Sequence, residues 1–328
     1  MTRQADYLVI GRAENMGLGS MAEDFCRNMP ADMMIVDCET GRRLHPDRFA
    51  NVVATVKLSE RKTLKRFVDL FEGYKAVVWM ESFFDFLWVQ AAIDAGAKTV
   101  GMPMYECSPP GFQHLDVLIS LSDMDLECYP TSIPLRWPID KSVLGQESQP
   151  MLPPKRFLHN AGNLGLRYRN GTESVLNASW GLYGTDVKLK VRYQERLPAG
   201  WSCDGKVVEF LPPCPDRQGL YAGADVFVLT HRYGGLSLPH LEASALGLPL
   251  IVSDIPSYAG YPHRVKAVET GEWTSPAGFR VPLFDPDSGE LAEMISAMSR
   301  GNLPVEPTPK HLLPPSWDIF RKQFRKVI

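Results

Sequence analysis

The stretch Tyr221–Pro256, YAGADVFVLTHRYGGLSLPHLEASALGLPLIVSDIP, decides how the rest of the chain is read. Ala224–Thr230 is a short apolar run rich in Val and Phe, bounded by Gly223 and a polar turn, and it predicts a buried strand. The loop His231–Ser237 follows. Pro239–Leu246 then has proline in its first turn, Leu241, Ala245 and Leu246 at helical spacing, and Gly247 just past its end, so it predicts a helix with start and stop signals. Pro249–Val252 predicts a second buried strand, closed by Ser253 and Asp254.

Strand, glycine loop, helix, strand is one right-handed crossover of a parallel sheet. Such sheets take ligands at the carboxyl ends of their strands, which is where this loop opens. Gly234 and Gly235 keep side chains off the backbone, and the amides of Leu236, Ser237 and Leu238 point out of a helix start. Unused N–H groups and the positive end of the helix dipole make that start a phosphate site. Glu242, on the first turns of the helix, is within reach of the same crevice as an acceptor for paired sugar hydroxyls.

The segment resembles the donor-site signature of the retaining group-1 glycosyltransferases of GT-B fold, with Asp225, Leu238, Pro239, Glu242, Ala243, Gly247 and Pro249 at the expected places. Its YGGLSLPxxEA wording is the style of actinobacterial and phage members. The resemblance implies an α/β protein of two Rossmann-like doubly wound domains facing a central cleft, with a C-terminal helix crossing back to the first domain. It departs from the family at Gly234, which stands where the first of two glutamates is usual, and that departure bears on the sugar contacts rather than on the diphosphate cradle.

Length and composition agree with two domains. A chain of 328 residues exceeds the size at which one core stops growing. Apolar content of 45% and charge of 22% belong to an ordinary globular protein, and a net charge of −3 gives no overall push toward nucleic acid. No apolar run is long enough to span a bilayer and the start lacks a secretory pattern, so a cytoplasmic location is expected. The six cysteines show no metal-ligand spacing and are expected as reduced thiols.

The first half opens with a strand, Tyr7–Ile10, and a glycine-rich turn leading into an amphipathic helix carrying Met21, Phe25 and Met29. The resemblance turns Gly17, Leu18 and Gly19 toward the donor. A basic stretch follows: Arg42, Arg43, Arg48, Lys57, Arg61, Lys62, Lys65 and Arg66, with an amphipathic helix expected from Ser59 onward whose positive face would suit nucleic acid phosphates or an anionic membrane. Ala76–Met80 predicts a strand ending in Glu81. Acids at such strand ends face the ligand crevice, so Glu81 is the expected group to orient or deprotonate an acceptor hydroxyl, with Asp85 one helical turn on in support and Glu106 as a further acceptor contact. The proline-rich TSIPLRWPID marks a linker, giving residues 1–140 with 316–328 as the acceptor-side domain and 141–315 as the nucleotide-sugar domain.

Phe157–Asn160 begins the second domain. The resemblance aligns Gly162, Arg167, Arg169, Gly171 and Thr172 with a strand, basic turn and helix start, and puts Asn170 where Lys is usual. A departing diphosphate needs positive charge, which falls to Arg167 or Arg169. Phe210 and Leu211 lie where the family holds the base. The reaction implied is retaining transfer of a hexose from a nucleotide diphosphate sugar, UDP-sugar favoured, to an acceptor hydroxyl on a small molecule, glycan, protein or DNA. With Arg167, Arg169 and the helix amides standing in place of a cation, no metal or other cofactor is expected. Two alternatives stay open: a phage-type enzyme modifying a hydroxymethylated DNA base, and a nucleotide-sugar-binding module without catalysis.

Overall fold

The computed structural model describes residues 5–14, 17–145, 150–162, 168–194, 205–214 and 216–328. The chain forms two compact units. Unit 1 comprises Met1–Pro138, Thr274–Arg280 and Pro315–Ile328; unit 2 comprises Ile139–Trp273 and Val281–Pro314.

Unit 1 alternates strand and helix: β1 (Tyr7–Gly11), α1 (Gly17–Asn28), β2 (Ala31–Asp37), β3 (Val52–Lys57), α2 (Leu64–Phe71), β4 (Ala76–Met80), α3 (Phe86–Asp94), β5 (Lys98–Met102), β6 (Val117–Ser120), α4 (Asp123–Cys128) and β7 (Ile133–Pro134). The strands lie in the order β3-β2-β1-β4-β5-β6-β7, and every neighbouring pair is parallel. The central strands β1 and β4 are buried at every position, as strands covered on both faces must be. Phe67, Phe71, Trp79 and Trp88 fill the core on one face.

Unit 2 repeats the plan: β8 (Arg156–Gly162), α5 (Thr172–Ala178), β9 (Lys188–Tyr193), β10 (Val208–Leu211), β11 (Val226–Leu229), α6 (Leu238–Ala245), β12 (Leu250–Ser253), β13 (His263–Val265), β14 (Ala267–Thr274), β15 (Arg280–Pro286) and α7 (Ser288–Ser299). Its main sheet has the order β10-β9-β8-β11-β12-β13, all parallel, with β14 and β15 as a separate two-stranded ribbon. The last helix, α8 (Trp317–Val327), belongs to unit 1, where Phe324 packs edge-on against Tyr7 and Phe25, each at 5.3 Å. The molecule is thus α/β, two Rossmann-like parallel-sheet units. Among the described residues no helix is long and apolar enough to cross a membrane, and no cysteine is in a disulfide.

The structure departs from the sequence reading at several points. The helix expected from Ser59 starts at Leu64, after the cap residue Thr63, so Lys62 is not on it. The basic stretch is less of a positive face than its composition suggests. Arg48 pairs with Glu23, Arg42 with Glu14 at 3.6 Å, Lys62 with Asp85 at 3.2 Å and Arg66 with Glu60 at 2.6 Å. Strands β13, β14 and β15 were not expected. AVETGEWT in β14 is almost wholly exposed, so it carries none of the alternation that marks a half-buried strand.

Asp225, read above as a signature residue, has a structural task. Its carboxylate is fully buried at the entrance to β11 and accepts from the amides of Met151, Lys155 and Arg156 at 2.9, 3.0 and 2.9 Å, and from the Arg156 guanidinium at 2.6 Å. It therefore ties the segment entering β8 to the start of β11. Burial pushes its pKa up, but the Arg156 and backbone hydrogen bonds outweigh it and leave a net depression. A depressed carboxylate contributes stability that is complete above the unfolded value of about 4 and lost as pH falls below it. Asp225→Asn is expected to cost about 3 kcal/mol at pH 7 in thermal or urea unfolding. The gap between mutant and wild type should narrow below pH ~4.

Candidate functional site

The site in unit 2 is built where the carboxyl ends of β8 and β11 meet the starts of α5 and α6. The turn Tyr168–Gly171 is fixed there by a polar network. His159, 1% exposed, has Nδ1 at 3.0 Å from the Val228 carbonyl and Nε2 at 2.8 Å from Thr172 Oγ1. The carbonyl can only accept, so Nδ1 carries the proton and Nε2 receives the threonine hydroxyl's. Burial holds His159 neutral, pushing its pKa down to about 4. Thr230 Oγ1, at the end of β11, lies 3.0 Å from the carbonyls of both Asn170 and Gly171. Gly171 has a φ of +59°, and a Cβ there would lie 1.8 Å from the Thr230 carbonyl oxygen, so only glycine fits.

This turn delivers Arg169. Its backbone carbonyl accepts from Arg232 N at 2.8 Å, its Nη2 donates to the Leu236 carbonyl at 3.2 Å, and its guanidinium lies over the Tyr233 ring at 5.4 Å. The structure thus brings Arg169 together with the loop carrying Gly234, Gly235, Leu236, Ser237 and Leu238. Gly235 has a φ of +113°. Ser237 is the residue before α6, yet its side chain does not cap the helix, and its hydroxyl is buried with no hydrogen-bond partner among the described residues. First-turn amides of a helix have no acceptor within it. One cation, a helix start and an unsatisfied buried hydroxyl therefore converge on one place, a combination suited to an anion with several oxygens. His231, next to this loop, is held neutral by burial and by the Arg169 charge, with Nδ1 at 2.7 Å from the Tyr258 hydroxyl.

Other expected donor residues stand differently. Glu242 is 4% exposed, and its oxygens accept from Arg217 Nη2 at 2.7 Å and the Tyr221 hydroxyl at 2.6 Å. The sequence reading had this carboxylate open to sugar hydroxyls; a diol reaching it must displace one of those partners. Arg217 was not among the expected residues, because nothing in PDRQGLYAGAD indicates that its Arg reaches a glutamate one crossover further on. Asn170, the departure from Lys, donates its amide to the Ala161 carbonyl and so packs back on β8. Phe210 and Leu211 are half-buried on the edge strand β10, with Phe210 against the core. Arg167 lies outside the described residues.

In unit 1 the expected acceptor residues gather around the ends of β4 and β5. Glu81 has a φ of +56°, its Oε1 accepts from Cys107 Sγ at 2.8 Å, and its carbonyl accepts from Ser108 Oγ at 2.5 Å. Glu106 is 2% exposed in the same loop. Cys107 was not anticipated, since a lone Cys in a loop carries no signal by itself. Asp85 is not one helical turn beyond Glu81, because residues 82–85 are not helical. It is the cap of α3, accepting from Leu87 N at 3.0 Å, and it pairs with Lys62. Gly17, Leu18 and Gly19 form the first turn of α1 rather than a loop before it, and a Cβ on Gly19 would meet the Glu14 carbonyl at 2.0 Å.

Residues 175–299 match the family model described as "Glycosyl transferases group 1". No curated protein matches the sequence. Among solved structures, HepE of Anabaena in complex with UDP and glucose superposes with a TM-score of 0.66 at 11% identity, over 98% of each chain. The same protein with UDP-glucose gives 0.65 at 11% identity, again over 98% of each chain. UDP-N-acetylglucosamine 2-epimerase from Rickettsia bellii gives 0.51 at 13% identity, over 98% of this chain and 95% of the other. These are likenesses of fold, and they put the two Rossmann-like units in the GT-B class.

Two outcomes follow from the geometry. Gly171→Ala is expected to cost about 3 kcal/mol in unfolding, against about 1 kcal/mol for Gly247→Ala, where φ is also positive at +76° but nothing lies within 4 Å. A histidine whose folded pKa is depressed contributes stability that is complete above its unfolded value of about 6.5. That contribution, about 3 kcal/mol for His159, is lost as pH falls toward 4. The Tm measured across that window should therefore drop more steeply in wild type than in His159→Gln.

Proposed function

We propose that the protein is a glycosyltransferase that moves a hexose from a UDP-sugar to an acceptor hydroxyl with retention of configuration. The observation that carries this reading is the convergence of Arg169, the start of α6 and the unsatisfied Ser237 hydroxyl within unit 2. It is supported by the family match over residues 175–299. HepE, which shares the fold, was crystallised with UDP and glucose.

In this reading the diphosphate lies against the α6 amides and Arg169, with Gly234 and Gly235 allowing close approach and Leu236, Ser237 and Leu238 supplying the N–H groups. The acceptor oxygen forms its bond to the anomeric carbon as the bond from that carbon to the phosphate oxygen breaks, and the acceptor proton passes to the departing phosphate. Charge builds on the leaving diphosphate, and Arg169 and the helix dipole meet it in place of a divalent cation. Chelator should then leave turnover unchanged. Glu81 and Glu106 are proposed acceptor contacts, with Cys107 fixing the Glu81 rotamer. Gly17, Leu18 and Gly19 are a proposed donor-facing turn. The proposed domains are 1–140 with 316–328 for the acceptor and 141–315 for the donor. A DNA acceptor draws less support from the basic stretch now that Arg42, Arg48, Lys62 and Arg66 have acidic partners.

The test is calorimetric or thermal-shift titration with UDP-glucose, UDP, GDP and ADP. A bound nucleotide raises Tm by mass action. Arg169→Ala is expected to weaken binding at least about tenfold, the loss typical of a charge-assisted hydrogen bond. Ser237→Ala should weaken it about threefold to tenfold while leaving the unliganded Tm unchanged or slightly raised, because its hydroxyl has no partner to lose. No shift with any nucleotide or nucleotide sugar would sink the reading. Binding without release of nucleotide to any acceptor would instead leave a sugar-nucleotide-binding module.

A further inference from the structure

Unit 2 carries a polar hollow that borders the Tyr168–Gly171 turn, with Gly171 and Thr172 in its wall, and that the reading above does not assign to the donor. A cavity of about 300 Å³ has Tyr168, Glu173, Asn177, Arg232, Asp285 and Ser288 in its wall. Glu173 and Asn177 are four residues apart on α5, so they share one face of the helix, and both are exposed. Three residues further on, in the 3₁₀ turn Ser179–Leu182 that prolongs α5, the same face continues into Trp180.

Trp180 is 71% exposed and Tyr183 is 47% exposed, with ring centroids 5.6 Å apart and planes tilted by 32°. Two large exposed rings side by side are the kind of surface feature that marks a binding site. Their exposure is imposed by the turn. Ser179 and Leu182 take the inward positions, at 8% and 0% exposed, and Gly181 faces α7, where a Cβ would lie 2.9 Å from the Ala292 methyl. Trp180 and Tyr183 are left outward, and neither can swing into the core. Tyr168 stands in the cavity wall itself, 59% exposed, with its backbone at a φ of +54°, a conformation that bulky residues seldom adopt.

The chemistry of this groove selects among ligand classes. The cavity wall carries the carboxylates of Glu173 and Asp285, the Asn177 amide and the Ser288 hydroxyl, with Arg232 paired to Asp285 at 2.7 Å. An apolar peptide or lipid would leave those groups unsatisfied. A polyphosphate or nucleic acid would meet two carboxylates against one arginine that already has an acidic partner. A sugar ring has what the exposed rings and the polar wall require: a C–H face to lie on an aromatic ring, and neighbouring hydroxyls that donate to carboxylates and accept from amides. The volume is at the lower end for small-ligand sites, which suits one ring rather than a larger molecule.

We propose that this groove is a carbohydrate-chain binding site, with one sugar in the cavity against Glu173, Asn177 and Asp285 and the adjoining sugar stacked on Trp180 and Tyr183. It involves none of the residues assigned to the donor and would hold for a protein with no transferase activity.

Native electrophoresis of the full chain through gels containing amylopectin, hydroxyethylcellulose or galactomannan tests it. At least one of these should retard the wild type, and Trp180→Ala and Asn177→Ala should each weaken the retardation, Trp180→Ala by about fivefold. The UDP-glucose thermal shift should be the same in both variants as in wild type. Retardation lost while that shift is kept supports the groove. A missing UDP-glucose shift with retardation kept speaks against the donor site and leaves the groove standing. Wild type unretarded by all three polysaccharides, or both variants retarded as strongly as wild type, overturns the proposal.

Discussion

A single neutral imidazole holds the candidate site of unit 2 in shape. His159 reaches from the middle of β8 to the β11 backbone on one side and to the first residue of α5 on the other, while Thr230 fastens the same turn from the end of β11. A charged imidazole could not accept from Thr172, so the network exists only because burial suppresses protonation. What this polar pairing fixes is the position of Arg169. A long, flexible cation becomes useful for recognising an anion only when its backbone is immobile, and Gly171 pressed against Thr230 makes it so.

Many residues that give the Tyr221–Pro256 stretch its recognisable wording turn out to do structural work. Asp225 ties the incoming chain to β11, Pro239 occupies the first turn of α6, and Gly247 adopts the left-handed conformation that ends it. That is why the fold class was legible in the sequence: strand, turn, cap and stop are local signals, each written in a few adjacent residues. Buried runs such as VFVL in β11 and AVVWM in β4 are equally local, and they are strands where expected.

The site was legible only in part, because its remaining features rest on side chains that meet across long sequence gaps. Glu242 sits at its expected place on α6, but Arg217 and Tyr221, from the connection before β11, decide what its carboxylate faces. Asp85 read as an acid near a strand end, yet Lys62 from another crossover claims one of its oxygens. Glu81 meets Cys107 through the pairing of β4 with β5. Ion pairs have no periodicity, so a basic run such as Arg42–Arg66 overstates the positive charge that the fold displays.

The placement of α8 bears on how the chain assembles. Tyr7 and Phe25 find their aromatic neighbours Phe320 and Phe324 only after all of unit 2, which lies between them in the chain, has been synthesised. Unit 1 therefore opens before unit 2 and closes after it. Until translation reaches Phe324, a greasy surface over β1 and α1 stays open on the ribosome, an interval in which chaperones and nascent-chain aggregation compete for the same rings.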